Sequence, residues 1–197
     1  EAQTSYLAGV IAASATKTGK IGALFDVDRT NLRDLNSAFL LGAQSIKPKI
    51  VVLAQNWGMS PAADAKSMAQ RGADIFYSTW NQSSDVIDAV AANSSVKKPL
   101  RYIGVLPDQF FLRTPKAKSV LLAAVQKRVD IATYDVIAYG VQNQSYLDVL
   151  DENNGIFGRE YSLKDGGVDF LVPALGSKFV GAILKAESLL KSGRVKL

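Results

Sequence analysis

The chain has 197 residues, 48% of them hydrophobic and 21% charged, with a formal charge of +5. A chain of that length and balance buries a large core without a metal or disulfide staple, which excludes the disordered and collagen-like classes. Cysteine and histidine are both absent, which removes thiol nucleophiles, thiolate metal sites, disulfides, the commonest general base and the commonest zinc ligand.

Residues 4–15 (TSYLAGVIAASA) read as an apolar helix that feeds a first strand through a turn at Thr18-Gly19. Four short apolar runs follow: Lys20–Phe25, Lys49–Ala54, Ala73–Ser78 and Arg101–Leu106. Each is nearly continuous and does not alternate, the pattern of a strand covered on both faces. Between the first two, Leu32, Leu35, Phe39, Ala43 and Ile46 recur at helical spacing. Ser60 with Pro61 supplies an N-cap and a first-turn proline for the next helix. Ser83 or Ser84 caps a third, which carries Val86, Ile87 and Val90. Strands and helices alternating in this way predict right-handed βαβ units and a parallel, doubly wound α/β sheet. Residues 119–139 read either as one helix or as a short strand through Val125 and then a helix. Gln142–Gly155 is polar and turn-rich. Arg159–Leu163 and Val168–Val172 read as short strands around Asp165-Gly166-Gly167, and a last helix runs from about Ser177 to Lys191.

In open parallel sheets, ligands sit beyond the carboxyl ends of the strands. The residues there are Asp26 and Asp28, then Asn56 and Trp57, then Trp80 and Asn81, then Asp108. Both tryptophans of the chain are in this set, each beside an amide. Flat rings flanked by amides suit a planar, hydrogen-bonding ligand, with Trp57 and Trp80 stacking and Asn56 and Asn81 orienting. The alternative is that each ring only covers a sheet edge. An enzymatic alternative starts from Phe25-Asp26-Val27-Asp28-Arg29-Thr30, which resembles the first motif of haloacid-dehalogenase-type phosphohydrolases. There Asp26 would be the nucleophile and Asp28 the general acid/base of a Mg²⁺-dependent reaction. Gly104-Val105-Leu106-Pro107-Asp108 lacks the paired acids that hold Mg²⁺, and Arg29 stands where that motif has glycine.

No dinucleotide fingerprint, Walker loop or nucleophile elbow is present, so no cofactor is expected. Basic residues are dispersed, in groups no larger than Lys97-Lys98, Lys127-Arg128 and the tail Lys191–Lys196. That distribution reads as a solvated surface rather than a nucleic-acid footprint. No run of about 18 apolar residues exists to cross a bilayer as a helix. The opening Glu1-Ala2-Gln3-Thr4 lacks the regions of a signal peptide, so an exported protein would begin here after its signal.

Several ordered segments together resemble one family. They are Ser5-Tyr6-Leu7-Ala8-Gly9, Thr16-Lys17-Thr18-Gly19-Lys20-Ile21-Gly22, Gly72-Ala73-Asp74-Ile75, and Ile103-Gly104-Val105 with Asp108-Gln109. Lys127-Arg128-Val129-Asp130-Ile131-Ala132, Ser162-Leu163-Lys164-Asp165-Gly166-Gly167-Val168 and Ser192-Gly193-Arg194-Val195-Lys196 complete the set. The pattern is similar to basic-membrane-protein receptors, the purine-nucleoside receptor lipoproteins that serve as solute-binding subunits of ABC importers. The resemblance implies a periplasmic-binding fold of the first type, two lobes closing on a small ligand without chemical turnover. It also implies an ABC permease as partner and an extracytoplasmic place, in the periplasm or at the cell surface through a lipid anchor outside this sequence. Family members carry a further segment of roughly a hundred residues, the size of a small domain, ahead of the first helix. On this reading residues 1–19 and 114–150 belong to a first-lobe remnant, and 20–113 form the main binding lobe. Residues 151–197 then supply return strands and the last helix. The resemblance puts the base-stacking aromatic at or beside Trp57, the sugar-contacting lysine at Lys127 and a surviving polar contact at Asp108. Leu106 replaces a family aspartate and Trp80 a small or polar residue, which favours a less hydroxylated or more aromatic ligand.

Overall fold

A computed structural model describes residues 1–25, 32–56, 60–79, 84–105, 114–144, 160–172 and 176–197. Its elements in chain order are α1 (Ala2–Ala15), β1 (Lys20–Phe25), α2 (Leu32–Ile46), β2 (Val51–Asn56), α3 (Pro61–Gln70), β3 (Ile75–Ser78) and α4 (Ser84–Asn93). They continue with β4 (Arg101–Gly104), α5 (Pro115–Val120), β5 (Leu121–Lys127), α6 (Val129–Val141), β6 (Val168–Leu171) and α7 (Ser177–Lys191). The strands form one sheet in the order β2-β1-β3-β4-β5-β6. The first five strands run parallel, and β6 runs antiparallel to β5.

Alternation within the strands divides the core into two layers. Ile21, Ala23 and Phe25 of β1, with Ile75, Tyr77, Ile103, Ala123 and Val125, face α1, α2 and α7. Leu24, Phe76, Tyr102 and Leu121 point the other way, into a layer with Met68 of α3 and Val86, Ile87 and Val90 of α4. Two helix layers around a parallel sheet are the expected outcome of βαβ units wound in both directions from a central strand.

α1 is buried from Thr4 to Ala13. It lies against α2 with almost no spacing, and two glycines make that possible. A Cβ on Gly9 would overlap the Phe39 carbonyl oxygen, and one on Gly42 would overlap the Tyr6 carbonyl oxygen. At the far end of α1 the buried Asp74 carboxylate accepts from Thr16 Oγ1 at 2.5 Å and from the amides of Lys17 and Thr18 at 2.7 and 3.1 Å. This clamp turns the chain from α1 into β1, so α1 returns antiparallel to the strand it precedes.

Two expectations about individual elements change, and one open choice is settled. β2 begins at Val51 rather than Lys49, because Ile50 N–H closes a turn onto the Lys47 carbonyl at 3.0 Å. It is also an edge strand, with Val51 45% exposed, so its continuous apolar run does not mean cover on both faces. Residues 121–127 are a strand followed by a helix, not one helix, because pairing with β4 and β6 satisfies their backbone. The described part of the expected strand Arg159–Leu163, from residue 160 on, is no strand. Ser162 N–H and Oγ both donate to Asp165 Oδ2, and Gly166 follows at φ +73°, so the segment curls into a turn. α1 and β5 share the core and the sheet of β1–β4.

Candidate functional site

Parallel pairing brings the carboxyl ends of the strands to one side of the sheet. The register aligns Phe25 with Asn56 and Leu24 with Ser78, and Thr79 N–H continues the ladder to the Leu24 carbonyl at 3.2 Å. Since α1 runs antiparallel to β1, its amino end arrives at this same side. A half-open hollow lies there, lined by Glu1, just before α1, by Thr4 and Ser5 of α1, by Tyr77 of β3 and by Thr79 just after it. Leu35, Val105, Val125 and Lys127 complete its described wall.

The floor is aromatic and held from behind. Tyr77 stacks on Phe39 with ring centroids 5.1 Å apart and planes 4° from parallel, and Phe25 meets both rings edge-on at 6.0 and 6.2 Å. The Tyr77 hydroxyl lies 3.3 Å from Ser5 Oγ, which fixes the ring against the first helix. Such stacked and edge-on contacts add about 0.5–1.5 kcal/mol each beyond burial, enough to keep a site wall in one rotamer.

The rim is charged. β5 is buried from Leu121 to Gln126, and Lys127 is its exposed last residue. Lys127 Nζ donates to Glu1 Oε1 at 2.7 Å, the two side chains being 42% and 29% exposed. Glu1 occupies the N-cap position of α1, yet its side chain makes no capping bond to the helix amides. Directly after Lys127, Arg128 pairs with Asp130 at 2.7 Å and with Asp169 at 3.4 Å. The hydrogen bond from Arg128 holds the Asp130 carboxyl below the ordinary value of 3.8, and the same contact raises Arg128.

Of the residues expected at the site, Lys127 is brought to the hollow. Asn56 ends β2, two strands from β3, and its side chain lies outside the described residues, as do Trp57, Trp80, Asn81 and Asp108. Asp26 and Asp28 of the enzymatic alternative lie outside them too. Glu1, Thr4, Ser5, Leu35, Tyr77, Val105 and Val125 were not anticipated. For the first three a signal existed: a helix joined to a strand by a tight turn returns antiparallel, which puts its amino end at the strand's carboxyl end. Tyr77 could not be told from a core residue, because its strand is buried throughout. No groups of three or more acidic residues placed to hold a metal occur among the described residues.

Residues 1–170 match the family model described as ABC transporter substrate-binding protein PnrA-like. The chain is 29% identical to the ABC transporter nucleoside-binding protein BmpA of Lactococcus lactis over 98% of this chain and 57% of that protein. It is 31% identical to a CD4+ T-cell-stimulating antigen of Listeria monocytogenes over 67% of this chain and 41% of that protein. It therefore spans about half the length of the relatives it matches. Among solved structures, a solute-binding protein of an ABC transporter system from Conexibacter woesei superposes with a TM-score of 0.72 at 18% identity. The superposition covers 100% of this chain and 62% of that one. A transcriptional activator of the comK gene from Bacillus halodurans gives a TM-score of 0.71 at 20% identity, covering 98% and 64%. These two likenesses are likenesses of fold.

Proposed function

Because the chain belongs to the Bmp family of PnrA-like ABC transporter substrate-binding proteins, we propose that it is part of a solute receptor for a small, planar, nucleoside-like ligand. The hollow at the carboxyl ends of β3, β4 and β5 is then one wall of an interlobe cleft, and the receptor delivers its ligand to an ABC permease outside the cytoplasm. Binding proceeds without chemical turnover. The observation that carries this reading is the position of Lys127, the last residue of β5, on the rim of an aromatic-floored hollow. Concave sites with a few polar groups around an apolar base are where small molecules bind. Trp57 and Trp80 stack on the ligand, Asn56 and Asn81 orient it, and Asp108 and Lys127 hold its polar groups.

The test is a fluorescence titration of the full-length protein with inosine. A saturable shift in tryptophan emission is expected, lost in Trp57→Ala and weakened about tenfold or more in Lys127→Ala, the loss of one charge-assisted hydrogen bond. No shift with any nucleoside, free base or related heterocycle means the ligand class is wrong. Mg²⁺-dependent phosphate release that Asp26→Asn abolishes would replace this reading with the phosphohydrolase one.

A further inference from the structure

The cation on the rim of the hollow does not stand alone. Lys127 Nζ and Glu1 Oε1 are 2.7 Å apart, and both side chains line the hollow. They are the two charged residues among its described lining residues, so the pair leaves that wall neutral. The Glu1 side chain makes no bond to the α1 amides. The carboxylate reaches from the first helix to the end of β5, where it accepts from Lys127 Nζ.

A lone lysine at the mouth of a cleft is an anion site, and a phosphate would be its strongest small partner. A lysine balanced by a carboxylate at hydrogen-bonding distance loses that preference, and the carboxylate adds repulsion against any second anion. We infer that Glu1 is a specificity-determining residue: by neutralising Lys127 it makes the cleft accept the uncharged nucleoside and reject its phosphorylated form. This rests on the nucleoside reading above for the identity of the preferred ligand, but not for the role of the pair. The pair leaves Lys127 able to donate to a neutral acceptor, since an ammonium carries three protons and Glu1 uses one.

Isothermal titration of the full chain with inosine and with inosine 5′-monophosphate tests the inference. Wild type, Glu1→Gln, and the swapped pair Glu1→Lys with Lys127→Glu are compared, each checked for an unchanged unfolding midpoint. Inorganic phosphate is the third probe, followed through the Lys127 ammonium signals by NMR in wild type and Glu1→Gln. Wild type is expected to bind inosine at least about a hundredfold more tightly than the monophosphate. Glu1→Gln narrows that ratio about tenfold or more and gains phosphate binding at Lys127, and the swapped pair keeps phosphate out. An unchanged ratio in Glu1→Gln together with no phosphate binding overturns the inference. If wild type binds no nucleoside but Glu1→Gln still gains phosphate, the nucleoside reading fails and the charge-balancing role stands. If neither occurs, both fail.

Discussion

Helix α1 (AQTSYLAGVIAASA) and helix α6 (VDIATYDVIAYGV) are both apolar on nearly every side. Yet Thr4–Ala13 of α1 are all buried, and no residue of α6 is buried among the described residues. In α6, Val129 is 64% exposed, Tyr134 72%, Ile137 59% and Val141 81%. α1 has the sheet beneath it and packs against α2 and α7, so every side of it meets apolar surface. α6 is held by polar ties: Arg128 to Asp130 and Asp169 at its start, and Tyr161 Oη donating to Asp135 at 3.0 Å. A helix apolar all round asks for cover all round. The period of a sequence therefore tells what a helix needs, and only the fold tells whether this chain supplies it.

Variants that break this contrast can be ordered by size. Gly9→Val drives a side chain into the α2 backbone at the Phe39 carbonyl. It is expected to cost about 4 kcal/mol or more, beyond ordinary overpacking because backbone must move, or to prevent folding, as read by urea denaturation. Leu7→Ala, in the middle of α1 and fully buried, removes packed volume and is expected to cost about 3 kcal/mol in the same experiment. Ile137→Ser on α6 is expected to change stability by less than about 0.5 kcal/mol. A loss comparable to that of Leu7→Ala would mean that α6 is covered in solution, and the contrast would fall.

The smallest effect is one of pH. Asp130 is held below 3.8 by the hydrogen bond from Arg128. A carboxyl with a lowered folded pKa contributes stability that is present above its unfolded value and is lost as pH falls through the folded one. Wild type and Asp130→Asn should therefore differ slightly at neutral pH and converge as the pH drops below 3.8. A difference that persists in acid would assign the effect to packing at the start of α6.

The parallel strands were legible because a continuous apolar run of four to six residues between two helical patterns is too short for a helix and too apolar for a loop. Their order was not legible, so β2 was expected to be covered where it is an edge with Val51 exposed. β5 (LLAAVQK) was ambiguous because Leu, Ala and Gln suit a helix as well as a strand, and pairing on both sides settles it. The turn at Ser162–Asp165 depends on one side chain reaching back to an amide, which periodicity does not register. For the site, Lys127 came from the family resemblance, while counting residues after each strand pointed to the carboxyl end of the sheet, where the hollow lies. The count missed Glu1, Thr4 and Ser5, because they precede the first strand and reach the hollow only through the antiparallel return of α1.

The most direct test of a ligand site at the carboxyl ends of the strands is an amide NMR titration of the full chain with inosine. Shifts are expected to concentrate at Thr4, Ser5, Thr79, Val105 and Lys127, while Thr16, Lys17 and Asp74 at the opposite end of the sheet stay still. Saturable shifts confined to that opposite end, or none at all with any nucleoside or base, would contradict a site at the strand ends.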